Sequence, residues 1–199
     1  LKTFVNHLDA AITDPYIYNN AGCTPLDAVL VWQDEENLVT NVRLSSDKHS
    51  LTFDVPQATI KQGNAIVAVR DADSRIMWSW HIWCTDLPAD QVYMANKYGN
   101  SYTFMDRSLG ATSALDDTGS LGMSYQWGRK DPIPGSSKFY DMTEPTLYGS
   151  VTKVSVAASD ASTGTIANAI QNPITFLKAA DWLFAGRNNY LWGNPQGEE

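Results

Sequence analysis

The chain is short of cysteine, histidine and long apolar runs. Cys23 and Cys84 are the only cysteines, and His7, His49 and His81 the only histidines, in 199 residues. No CxxC pair and no Cys/His set has the spacing of a zinc site, so no metal is expected. A Cys23–Cys84 bridge would close a loop of about 60 residues and contribute about 4 kcal/mol in the entropic account. Two free buried thiols are the plainer expectation. No run of about 18 apolar residues occurs, so nothing reads as a membrane-spanning helix. No signal peptide is visible, and the chain opens on Leu1, which reads as a processed or partial chain. Positive charge is scarce as well: 14 Lys and Arg against 22 Asp and Glu leave a net charge of −8. Such a surface repels phosphate backbones and argues against a nucleic-acid partner.

Catalytic motifs are also lacking. The serines sit in loops without a GxSxG elbow, and no glycine-rich phosphate cradle follows a strand. "DADSRIMWSWHI" opens like a calcium loop with Asp71 and Asp73. It then has Ile76 where glycine belongs and Ile82 where the closing glutamate belongs. A hairpin turn accounts for its acids better. Asp106, Asp116, Asp117 and Asp131 remain as loop carboxylates. Two could face each other as in a glycosidase, or several could ligate calcium, and spacing decides neither. No catalytic residue and no cofactor is assigned.

What is present is β pattern and aromatic surface. "AVLVWQ", "LVTNVRL" and "LTFDV" read as strands between polar turns, with Leu38, Thr40, Val42 and Leu44 on one face of the second. "KQGNAIVAVR", the turn "DADS" and "RIMWSWHIWC" form the clearest hairpin. Alternation places Trp78, Trp80, Ile82 and Cys84 on one face, and Met77, Ser79, His81 and Trp83 on the other. Large side chains on both faces predict a central, doubly covered strand. Five strands in a row predict an antiparallel meander, buried as a sandwich.

After Pro88 the composition shifts toward Gly, Ser, Thr and Pro, which sets a boundary between a sandwich domain, 1–87, and a loop-rich aromatic domain, 88–199. There "SYTFMDR" predicts a strand, "TLYGSVTKVSVAAS" one or two more, and "TGTIANAIQNP" a short helix with Ile166, Ala169 and Ile170 on one face. "FLKAADWLFAG" predicts a second helix, and "LKTFVNHLDAAI" another at the N-terminus.

One stretch, "YQWGRKDPIPG", packs two aromatics, three charges and two prolines into eleven residues. Tyr125, Trp127 and Trp192 are candidate ligand-stacking residues. The alternative is a structural latch. In it Arg129 and Asp131 pair with Asp106 and Arg107, Trp127 lies beneath, and Gly128 lets the backbone pass close to that ring.

"NAIVAVRDADSRIMWSWHIWCTD" followed by "FMDRSLGATSALDDTGSLGMSYQWGRKDPIPG" resembles the C-terminal part of fimbrillin-like surface proteins of Bacteroidetes, with related repeats called the Fibrobacter succinogenes major paralogous domain. "TIANAIQNPITF" and "NNYLWGNP" fit the same pattern, so the resemblance spans about residues 28–194. It implies an exported, lipid-anchored surface protein with the anchor outside this chain. It also implies a pilin or transthyretin-like β-sandwich followed by a C-type-lectin-like α+β region, incomplete at its C-terminus. The implied role is cell adhesion or a fimbrial component at the outer membrane, joined to other subunits by strand addition. A glycan-binding module of a surface nutrient-capture system is the second expectation.

Overall fold

The computed structural model describes residues 5–94, 96–135 and 144–192. The protein is mainly β, with antiparallel sheets and few helices. Its centre is a three-stranded sheet in the order β1 (Asp27–Gln33), β4 (Gly63–Arg70) and β5 (Ile76–Cys84). The sequence "GNAIVAVR" suits the middle position. Its β-branched and small residues pack on both faces, and seven of its eight residues are buried. The β4–β5 turn forms where expected: Asp71 Oδ1 accepts the backbone N–H groups of Asp73 and Arg75 at 3.0 and 2.9 Å.

The expected meander does not form. β2 (Thr40–Leu44) and β3 (Leu51–Asp54) pair only with each other, and β4 skips back to β1. The cause lies just before β2. Leu38 and Val39 are buried and lead the chain across the sheet rather than along its edge. The β2–β3 hairpin then lays Val42, Leu51 and Phe53 against Leu30, Ala65, Val67 and Ile82. The central strand is therefore β4, and β5, expected in the middle, lies at the sheet's edge. The two expected faces of β5 hold for residues 78–84, because Ser79 and His81 lie opposite Ala68 and Ile66. Met77 departs from them. A register shift between Val69 and Arg70 leaves it as an extra residue, and it packs with Val69 and Cys23. The two cysteines are free thiols.

The opposite face of the sheet is covered from far along the chain. Val31, Trp32, Ile66 and Ala68 share one cluster with Leu147 and Ile174, so this core takes residues from both sides of residue 88. Residues 147–151 also run along the outer edge of β1. Gln33 and Tyr148 exchange both backbone hydrogen bonds at 2.8 and 2.9 Å, and the Val151 N–H donates to the Val31 carbonyl at 2.9 Å. Gly149 makes this approach possible. Its φ is +135°, and a Cβ there would sit 2.8 Å from the Val31 carbonyl oxygen.

The remaining elements are small. β6 (Asp90–Tyr93) and β7 (Tyr102–Met105) form a hairpin in which all eight residues are exposed. β8 (Ser155–Ala158) and β9 (Thr175–Lys178) pair in parallel around α1 (Ile166–Gln171). The helix stands where the i, i+3, i+4 pattern placed it, with the Thr165 side chain accepting the Asn168 N–H at 3.1 Å. The second expected helix begins instead as β9. Leu177 points inward while Phe176 and Lys178 face out, a period of two that a helix reading overlooks. Residues 5–11 form a turn closed by a Val5–Ala11 bridge rather than a helix, and residues 1–4 lie outside the described residues.

Candidate functional site

The unusual loop is closed at its base by a backbone pair. Ser124 and Ile133 exchange hydrogen bonds of 3.0 and 2.7 Å, and the Arg129 N–H turns back to the Gln126 carbonyl at 2.9 Å. Gln126 then acts as a substitute strand. Its side-chain amide donates to the Leu177 carbonyl at 2.9 Å, and its Oε1 accepts the Leu177 N–H at 3.0 Å. Gly128, at φ +80°, meets Leu191: a Cβ would lie 2.8 Å from that residue's own Cβ. The close neighbour of this glycine is thus Leu191, not the Trp127 ring.

Arg129 and Asp131 do not pair with Asp106 and Arg107. Arg129 is 5% exposed and donates to Gln126 Oε1 at 2.8 Å and to the carbonyls of Thr175, Asn172 and Pro173 at 2.5, 3.0 and 3.4 Å. It holds the turn between α1 and β9. Burial works against its charge, and neighbouring Asp131 supports it. Asp131 binds Lys130 Nζ at 2.7 and 2.8 Å and accepts the Ser79 hydroxyl at 2.8 Å. Lys130 Nζ also reaches the Ser79 carbonyl at 3.1 Å, contacts the Ser79 hydroxyl, and lies 4.5 Å from the centre of the Trp78 ring. Burial pulls the Lys130 pKa down, and Asp131 opposes that pull. A serine beside a lysine is a pair that can support acyl transfer. Here Asp131 accepts from both, which favours the ammonium form, and Ser79 is 3% exposed. The arrangement works as a staple between the loop and β5.

Asp106 and Arg107 form a separate clamp. The Arg107 guanidinium binds Asp106 at 2.8 Å and Asp86 at 2.7 Å, and reaches Thr85 at 3.2 Å. This ties the end of β5 to the base of the β6–β7 hairpin. The guanidinium holds the Asp86 carboxyl down at about 2, and Asp106 below its ordinary value. The single latch foreseen from sequence is therefore two fastenings, because Lys130 and Asp86 are the nearer counter-ions.

The indole beneath the loop is Trp182, 4% exposed, whose Nε1 donates to the Trp127 carbonyl. Trp127 itself is 52% exposed, with the Arg187 guanidinium 6.0 Å from its ring centre. Tyr125 is half-buried, and its hydroxyl lies 3.3 Å from His81 Nδ1. His81 Nε2 lies 2.9 Å from Asn64 Oδ1, while the Asn64 amide nitrogen donates to Asp34 and to the Gly110 carbonyl, both at 2.9 Å. That amide orientation makes His81 Nε2 the donor and leaves Nδ1 to accept from Tyr125. Burial lowers the His81 pKa to about 4, so the ring is neutral near pH 7. Trp192 ends a short 3-10 turn, Asn189–Trp192, and its side chain lies outside the described residues.

Together these elements enclose a half-open apolar cleft of about 350 Å³, lined among others by Trp78, Lys130, Ile166, Ile170, Trp182 and Leu191. Sequence reading missed the cleft. Lys130 stood in the quoted stretch, and Ile166 and Ile170 in the helical pattern, but nothing in their spacing joins them to Trp78. Among the loop carboxylates, Asp117 caps its own turn, accepting from Gly119 N–H at 2.8 Å and the Ser113 hydroxyl at 2.9 Å. No group of three or more potential metal ligands occurs among the described residues. No family model, curated protein or solved structure matches this chain.

Proposed function

We propose that this protein is a non-catalytic cell-surface component, an adhesion or fimbrial subunit exported to the outer membrane and anchored through lipid outside this chain. The observation that carries the reading is the β6–β7 hairpin. Every residue of both strands is exposed, and Tyr93, Tyr102 and Phe104 share one face, with the Tyr93 and Phe104 rings edge-to-face at 5.5 Å. A two-stranded hairpin is marginal on its own in water, and exposed aromatics of this kind suit a partner's surface. The Arg107 clamp sets the hairpin's base against the main sheet. Residues 147–151 already lie along β1, so assembly by strand addition would use β5 beyond Ser79, whose carbonyl Lys130 occupies.

The second reading, a glycan-binding module, has one observation in its favour: the half-exposed Trp127 ring beside Arg187. Two measurements separate the readings. Concentration-dependent assembly in sedimentation, with no hits on a glycan array, supports the subunit. A strictly monomeric protein that binds glycans saturably, and loses this in Trp127→Ala, replaces it with the lectin reading.

A further inference from the structure

The cleft beside Lys130 goes beyond a surface-assembly role and does not depend on it. Three features set its chemistry. Its walls are mostly apolar, contributed by Ile166 and Ile170 of α1, by Leu191 and by two indoles, Trp78 and Trp182. Its size, about 350 Å³, falls in the range of small-molecule sites. Among the described residues its charged rim carries two cations, Arg129 and Lys130, against one carboxylate, Asp131. Arg129 spends its hydrogen bonds on neutral oxygens, and among the described residues no carboxylate forms an ion pair with it. The described residues of the rim therefore keep one positive charge in a chain whose net charge is −8. An apolar cavity with a surplus cation at its edge favours a ligand with an apolar body and one negative charge.

We propose that this cleft binds a small amphipathic monocarboxylate, with its apolar body between α1 and the two indoles and its carboxylate toward Lys130. Lys130 is the accessible cation, its side chain 27% exposed while Arg129 is buried. Lys130 Nζ already bonds Asp131 and the carbonyl and hydroxyl of Ser79, so the ligand's carboxylate would replace a Ser79 contact and share the ammonium with Asp131. Gly128 contributes to the shape, because its missing side chain lets Leu191 form the wall.

The test compares two probes of similar length in calorimetric titrations of the whole chain: octanoate, and 1-octanol as its uncharged counterpart. Octanoate should bind about tenfold or more tightly than octanol, the discrimination one partly desolvated charge contact supplies. Lys130→Met should bring the two affinities together. Ala169→Phe, which places a ring in the cleft, should abolish both. If that variant fails to fold, Leu191→Trp at the wall serves the same purpose. Equal affinity for the two probes in the unaltered protein overturns the proposal. So does failure of octanoate to bind at millimolar concentration, or octanoate binding unaffected in a folded cleft-filling variant.

Discussion

Two hairpins of this chain have opposite fates. In β4–β5, seven of the eight β4 residues are buried and the pair lies between the β2–β3 hairpin and the distant segment around Leu147 and Ile174. In β6–β7 nothing is buried, although Val92, Tyr93, Tyr102, Phe104 and Met105 are as apolar as their counterparts in the core. Strand propensity forms both hairpins, but only one has material on both sides. The same residue types thus serve as ballast in one place and as a contact surface in the other. Position relative to covering layers decides which, not composition.

The comparison can be tested hardest at the buried pair. Ile66→Ala, at a site with no solvent exposure, should destabilise the fold by about 2–5 kcal/mol in denaturant unfolding. Gly149→Ala attacks the covering segment. An alanine at φ +135°, 2.8 Å from the Val31 carbonyl, should cost about 1–3 kcal/mol and loosen the edge of β1. Amide exchange at Gln33 and Val151 should rise in that variant more than at β5.

A third test uses pH. His81 takes up a proton at about 4 in the fold and near 6.5 when unfolded, so the unfolded chain binds the extra proton between those values. Stability from this group is full above about 6.5 and falls as pH drops toward 4, by on the order of 2 kcal/mol for a partly exposed ring. His81→Gln should flatten that acid limb relative to the unaltered protein. Asp34, whose pKa burial raises, acts in the opposite sense, and the difference between the two proteins removes its contribution.

The smallest effects belong to the exposed side. Phe104→Ser should change stability by less than about 1 kcal/mol while reducing assembly. Trp127→Ala, at a half-exposed ring, should likewise cost far less than the 3–5 kcal/mol typical of a buried indole. A large loss at Phe104 would mean that the hairpin is covered and would remove the contrast between the two.

The β4–β5 hairpin was legible from sequence because alternation, turn chemistry and strand length agree there. Its place in the sheet was not. Large side chains on both faces of β5 suggested a middle strand, whereas the small, β-branched run of β4 takes that place, since a doubly covered strand is selected for fit rather than for bulk. β9 was misread because four residues of "TFLK" carry too little period to compete with a helix-like neighbourhood. The charged residues of the unusual loop were recognised, but not their partners. Ser79 lies about 50 residues from Lys130, and a hydrogen bond across such a distance leaves no trace in spacing. Tyr125 belonged to that loop by position, and its link to His81 became visible only once β5 and the loop met.

The covering of β1 has a consequence in time. The Ser150 hydroxyl and the Val31 carbonyl it contacts are separated by 119 residues of chain. At ribosomal rates of about 5–20 residues per second, the edge of β1 waits on the order of ten seconds for its own cover to be made. During that interval the β1–β4–β5 sheet can pair internally while offering a bare strand to any neighbour. Nascent chains halted before residue 147 should therefore associate, and those halted well beyond residue 151 should not. Fluorescence cross-correlation of stalled ribosome complexes would resolve the difference.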